Sequence, residues 1–300
     1  MKAPVVGSPP VVGHSIQFNY DALTLIQRLQ KSKGDVFQLN ILNEDVLLLL
    51  TPSATKQIFL DPDDNFSSKH GWEFSIGPTF ENGLMLRDFD DHKYHRSLLQ
   101  NSFRRDALDK YIHIIQPRID SWIEEVKQKR EFYLYKSIKQ LMFNVAVELF
   151  FDEVDDTKLN HLNQLFINSI KPATTIVRSP YPMTRMKKGL KARVELLEYF
   201  QEKSDKIDLS KETLFADLVK TNNEEAGLTN FEIAEHMIFL LLAAHDTTTS
   251  TLTSSIHFLA GDENYQNKVK TESSTLSKTD ISDLKNGIIG EALFNEAIRK

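Results

Sequence analysis

The sequence predicts a mainly α-helical fold with a small β-hairpin near its N-terminus. Three observations carry that prediction. Glycine and proline are scarce, 11 and 10 in 300 residues. Apolar residues recur at helical spacing in segment after segment from Asp88 onward. One early stretch instead alternates apolar and polar residues around a polar turn. Hydrophobic residues at 41% and charged residues at 26% describe a globular chain, and a chain of this length can bury a large core.

The elements follow in order. Residues 1–17 read as an extended, Pro/Gly-rich lead-in. Leu23, Ile26 and Leu29 place a helix over 18–33, ended by Gly34. Phe37, Leu39 and Ile41, a turn at Asn43-Glu44-Asp45 and the apolar run 46–50 form the hairpin. Thr51-Pro52 starts a short helix, a capping hydroxyl followed by proline in the first turn. Residues 61–88, with Pro62, Gly71, Gly77, Pro78 and Gly83, read as an irregular loop. That loop is unusually apolar (Trp72, Phe74, Ile76, Phe80, Leu84, Met85, Leu86), and such loops are commonly functional. Helices are then expected over about 88–102, 105–130, 135–151, 156–170, 183–205 and 211–221, with a proline-containing break at 171–182. Thr229 and Glu232 form a capping box, and no Pro or Gly follows until Gly261. That allows a helix of about 30 residues, roughly 45 Å long. Helices near 262–272 and 287–300 close the chain. Neither an internal repeat nor a linker is evident, so residues 1–300 read as one domain.

Composition excludes several classes. The net charge of −6 gives no general attraction to nucleic acid or anionic membrane. With no cysteine, disulfides, thiolate nucleophiles, iron–sulfur clusters and Cys-ligated zinc are ruled out. The longest apolar run, 237–244, is far short of the roughly 20 residues a bilayer helix needs. The N-terminus has no signal-peptide core. A soluble, cytoplasmic chain without a transmembrane anchor is expected.

The long helix holds the most informative motif. Its first half is apolar nearly all round. It then runs Ala243-Ala244-His245-Asp246-Thr247-Thr248-Thr249-Ser250-Thr251. Ser, Thr and Asp compete for backbone hydrogen bonds and are poor mid-helix residues, and such local conflicts mark functional sites. Ala243, Thr247 and Thr251 lie at i, i+4 and i+8, so one face offers small side chains and then hydroxyls. A flat ligand can approach such a face. Hydroxyls bonded back to carbonyls can also widen the helix. Tight packing against a second helix is the alternative. Elsewhere, His92 and Arg96 stand at i and i+4 and can both donate to carboxylates. Glu296 and Arg299 form an i, i+3 ion pair.

These three motifs together resemble the cytochrome P-450 haem-thiolate monooxygenases. That family carries [Ala/Gly]-Gly-x-[Asp/Glu]-Thr-[Thr/Ser] in a long helix across the distal haem face. Ala244 stands for the usual Gly. The family's His-x-x-x-Arg pair binds haem propionates, and its Glu-x-x-Arg pair lies about 50 residues after the long-helix motif. The resemblance spans nearly the whole chain, and residues 101–103 also match the usual end of the His-x-x-x-Arg helix. It implies haem b as cofactor, held at Ala243, Ala244, Thr247, His92 and Arg96. Thr247 would hydrogen-bond the bound dioxygen, and Asp246 would help deliver the protons for O–O cleavage. His245 occupies a variable position and receives no role. The resemblance also implies an apolar substrate lined by Trp72, Phe74, Phe80 and Leu84 and by the break at 171–182. Electrons would come from a ferredoxin, flavodoxin or flavoprotein reductase, with Lys93, Arg104, Arg105 and Lys110 as a docking patch.

The family's iron-ligating cysteine lies well downstream of the Glu-x-x-Arg pair. The expectation is therefore the N-terminal two-thirds of a monooxygenase, inactive alone and exposing a large apolar surface. Two other functions stay open. His245-Asp246 with His92 and His236 could serve an HD-type metal phosphohydrolase. A helical binding protein without chemistry is the other.

Overall fold

The computed structural model describes residues 3–7, 13–41, 44–61, 63–100, 103, 105–151, 155–175, 178–211, 213–221 and 228–299. They form two compact units, Met1–Ser67 and Ser68–Lys300.

In the first unit, helix α1 (Ser15–Lys33) ends at Gly34, whose φ of 87° lies in the left-handed region that glycine adopts without strain. Strands β1 (Val36–Ile41) and β2 (Glu44–Leu49) pair antiparallel, with Phe37 opposite Leu48 and Leu39 opposite Val46. The alternation turns Phe37 and Leu39 inward onto Leu25 and Leu29 of α1. Gly13 is also required: a Cβ there would lie 2.4 Å from the Asn40 carbonyl oxygen. The expected turn at 43–45 is shorter than predicted. Glu44 and Asp45 belong to β2, where Asp45 accepts a hydrogen bond from the Asn40 amide at 3.3 Å; Asn43 lies outside the described residues. Helix α2 (Pro52–Leu60) starts as predicted, with Thr51 Oγ1 accepting from the Ala54 amide at 3.2 Å.

The second unit begins with a correction. Residues 68–80, expected as loop, form helix α3 (Ser68–Phe80), and a 3₁₀ turn follows at Leu84–Leu86. Gly71, Gly77 and Pro78 hide this helix from propensity, but Pro78 falls in the last turn and removes little of the hydrogen-bond ladder. Burying Ile76 and Phe80 outweighs the weak propensity. The remaining helices stand close to their expected places: α4 (Phe89–Gln100), α5 (Arg105–Lys127), α6 (Leu134–Phe151), α7 (Asp156–Ile170), α8 (Arg185–Lys206) and α9 (Leu214–Thr221). Then come α10 (Asn230–Ala260), α11 (Glu263–Ser273), α12 (Ile281–Leu284), which was not foreseen, and α13 (Ile288–Arg299).

Helix α10 is the axis of this unit, packed against α6, α8 and α13. Thr229 Oγ1 accepts from the Glu232 amide at 3.2 Å, and the Thr229 amide donates to Glu232 Oε2 at 2.9 Å. That satisfies donors which the first turn of a helix otherwise leaves open. The N-terminal half of α10 buries Ile233, Ala234, Met237, Ile238 and Leu241 in one core with Phe143, Phe166 and Leu196. Among the described residues, no helix is long and apolar enough to cross a membrane.

Candidate active site

The burial of α10 changes at residue 243. His245 and Thr249, four apart, stay buried; Ala243 and Thr247, also four apart, are exposed, and Ala244, Thr248 and Thr251 are half-buried. The alanine–threonine stripe is therefore open, not seated against a second helix. The back-bonding expected of the hydroxyls occurs at every turn. Thr247 Oγ1 donates to the Ala243 carbonyl at 2.6 Å, Thr249 to His245 at 2.7 Å, Thr251 to Thr247 at 3.0 Å, Thr253 to Thr249 at 2.7 Å and Ser255 to Thr251 at 2.9 Å. These bonds let a polar run persist in the helix without melting it. The helix runs without interruption from Asn230 to Ala260.

The buried side of the motif is pinned by one residue that the sequence did not single out. Lys139 of α6 places its Nζ 2.6 Å from Asp246 Oδ1, and its backbone carbonyl lies 3.0 Å from His245 Nε2. A carbonyl only accepts, so His245 carries its proton on Nε2. Its Nδ1 then faces Asp246 as a bare lone pair, 3.6 Å from Oδ1 and without a hydrogen-bond partner. Burial between Phe143 and Phe166, whose ring centroids each lie 5.5 Å away, pulls the His245 pKa down. His245, given no role by its sequence position, is a neutral anchor of α10 on α6. Lys139 lies 107 residues from Asp246 in the chain, a separation that leaves no local pattern.

On α4, His92 is half-buried and Arg96 exposed, whereas His95, Leu98 and Leu99 are buried. Neither His92 nor Arg96 uses its side chain in a hydrogen bond or ion pair among the described residues, and none joins them to the α10 stripe. The intervening His95 was missed. Its Nδ1 lies 2.8 Å from His236 Nε2 on α10, with both rings buried, at 3% and 0% exposure. His95 Nε2 lies 3.4 Å from Asp91, which also holds Arg87 at 3.0 Å. The carboxylate calls for a proton on His95 Nε2, so His236 Nε2–H donates to His95 Nδ1. The unpartnered His236 Nδ1 is then a bare lone pair, cheaper to bury than an orphaned N–H. Burial pushes the His236 pKa down to about 3, and that of His95 also falls.

The remaining sites divide. Glu296 and Arg299 pair as expected, with two hydrogen bonds of 2.7 and 2.6 Å. Trp72 and Phe74 are exposed and Leu84 is half-buried, whereas Phe80, at 1% exposure, sits inside the core. Phe80, the last residue of α3, packs there with Ile76 and Leu86. The two regions expected around a substrate do meet: α3 packs against the 3₁₀ turn Lys171–Thr174, and Arg178 lies over Phe74. Of the docking patch only part lies among the described residues. Lys93 turns to Asp90 at 3.5 Å, and Arg104 and the side chain of Arg105, like residues 101 and 102, lie outside the described residues. The described residues lend the metal-phosphohydrolase alternative no support. His245 is enclosed by phenylalanines, His236 is spent on His95, and no group of three His, Asp or Glu among the described residues could hold a metal.

Comparison with known proteins bears on the family. A Mycobacterium tuberculosis protein named as a cytochrome P450 (number 136) is 29% identical over 99% of this chain and 62% of its own length. Protopanaxadiol 6-hydroxylase of Panax ginseng is 25% identical over 97% of the chain and 65% of its length. The chain thus spans somewhat under two-thirds of these relatives. The solved structure of a retinoic acid bound cyanobacterial CYP120A1 superposes with a TM-score of 0.84 at 21% identity, covering 99% of this chain and 69% of that one. A family model described as Cytochrome P450 matches residues 4–300. The chain belongs to the cytochrome P450 family.

Proposed function

We propose that this chain builds the distal wall and the carboxylate-binding arm of a haem-dependent monooxygenase, which inserts one oxygen atom of dioxygen into an apolar organic substrate. The observation that carries the reading is the open face of α10, where Ala243 and Thr247 stand exposed while His245 and Thr249 bind the same helix to the core.

The residues fit a porphyrin on two sides. The small side chains of Ala243 and Ala244 leave room for a flat macrocycle against the helix. His92 and Arg96 supply donors uncommitted among the described residues, suited to its carboxylates. These 300 residues contain no cysteine and would offer the iron no thiolate. When bound, haem supplies the one-electron and dioxygen chemistry that no side chain offers. The protein's part is to place hydrogen bonds and protons. Thr247 spends its proton on the Ala243 carbonyl, so in this rotamer its oxygen accepts; donation to a ligand requires rotation about χ1. Asp246 is held through Oδ1 by Lys139, while Oδ2 has no partner among the described residues. Asp246 Oδ2 is the atom that carries protons inward from solvent, and Lys139 fixes its carboxyl between exchanges. Trp72, Phe74 and Leu84 face the apolar substrate. A ferredoxin, flavodoxin or flavoprotein reductase delivers the electrons.

Optical titration with hemin tests the reading. Saturable binding at one equivalent is expected, abolished by Ala243→Phe and weakened about tenfold by Arg96→Gln, the order of one charge-assisted hydrogen bond. Binding indifferent to both substitutions contradicts it.

A further inference from the structure

Arg178 stands between the 3₁₀ turn Lys171–Thr174 and α8. Its guanidinium carbon lies 4.3 Å from the centroid of the Phe74 ring, and one of its nitrogens donates to the Pro172 carbonyl at 3.3 Å. That is one hydrogen bond from a group with five donors. No carboxylate answers it among the described residues. The contrast within the molecule is plain: Arg87, Arg118, Arg193 and Arg299 each hold a carboxylate, on Asp91, Glu148, Glu235 and Glu296. Arg178 is half-buried, and burial alone pulls its pKa down, with no acidic neighbour raising it. A cation withdrawn from water without a counter-charge is costly, and the face of one phenylalanine offsets only part of the lost hydration.

The surroundings state what would complete the site. The guanidinium fork matches a carboxylate through two parallel hydrogen bonds. Beside it the Phe74 ring remains 49% exposed, and Trp72 on the same helix is 44% exposed. A ligand that fills this place carries a carboxylate next to an apolar body. We propose that Arg178 is a specificity-determining residue which binds the carboxylate of an otherwise apolar substrate, with Phe74 beneath the charge and alongside the hydrocarbon. This rests on the reading that α3 and the segment before α8 border the substrate.

Two probes of equal chain length separate charge from burial: dodecanoate and dodecan-1-ol, measured by calorimetric titration of the full chain. Dodecanoate binds about tenfold more tightly than the alcohol, a typical margin for a charge-assisted pair. Arg178→Gln abolishes that preference and leaves alcohol binding unchanged, which also shows that the variant is folded. Arg178→Lys restores part of the preference, because charge is kept and the fork is lost. Lys187→Gln, an exposed charge on α8, changes neither. Equal binding of the two probes, or a preference that survives Arg178→Gln, overturns the role of Arg178 and leaves the substrate-region reading standing. Binding of neither probe overturns both, while the hemin titration judges the haem reading separately.

Discussion

The buried histidine pair makes stability depend on pH in a way that one substitution isolates. His236 titrates near 6.5 when unfolded and at about 3 when folded. The unfolded chain therefore takes up a proton below pH 6.5 that the native ring refuses. Its depressed pKa leaves stability intact above 6.5 and removes it as the pH falls toward 3. Between about pH 7.5 and about pH 5 the loss from this ring alone is about 2 kcal/mol, since each tenfold difference in proton affinity between the two states is worth about 1.4 kcal/mol. The native ring is neutral throughout that window, so the magnitude follows from the unfolded value. The groups facing it are His95, Arg87, Glu232 and Asp91, and they remain in the variant. His236→Gln is the informative change. A glutamine amide still donates to His95 Nδ1 but does not titrate. Urea unfolding at the two pH values, analysed by linear extrapolation, should show wild type losing about 2 kcal/mol more than the variant. Equal losses would refute both the neutral state of His236 and the proton assignment of the pair.

Three further outcomes follow from packing and pairing. Gly189→Ala destabilises the chain by about 1–3 kcal/mol in the same urea assay, since a Cβ there would lie 2.2 Å from the Pro172 ring. Lys139→Met frees Asp246 while keeping the backbone bond to His245. Hemin affinity is unchanged within about twofold, and hydrogen exchange around 243–249 accelerates about tenfold, the order of one partly buried pair. Thr229→Ala removes half of the capping box and costs about 1 kcal/mol. The Thr229 amide, which holds the Glu232 pKa down, is kept by alanine, so the Glu232 carboxyl stays below its ordinary value. The stability this bond adds above the unfolded carboxylate pKa, lost as pH falls through the folded one, is therefore retained in the variant.

The helices after Asp88 were legible because their signals are local. Caps such as Thr229–Glu232, and periodic apolar residues, need no knowledge of the rest of the chain. Helix α3 was not legible: its glycines and proline argue against a helix, and only the burial of Ile76 and Phe80 in a core drawn from distant segments reverses the balance. The site shows the same division. The alanine–threonine stripe and the His92–Arg96 pair lie within single helices and could be read directly. Lys139, His95 and the Arg178–Phe74 contact join residues 107, 141 and 104 positions apart. Separations of that kind carry no periodicity. No local signal marked His95: at i+3 from His92 it shares much the same helix face, and its partner His236 lies 141 residues away.

The central claim is that a porphyrin lies flat on the open side of α10. The direct measurement is methyl NMR of alanine-labelled chain saturated with ferric haem, against the same chain with diamagnetic zinc protoporphyrin. The methyl resonances of Ala243 and Ala244 should broaden beyond detection in the ferric sample alone, with Ala192, buried in α8, retained. Retention of both stripe alanines, or loss centred on another helix, would contradict the account.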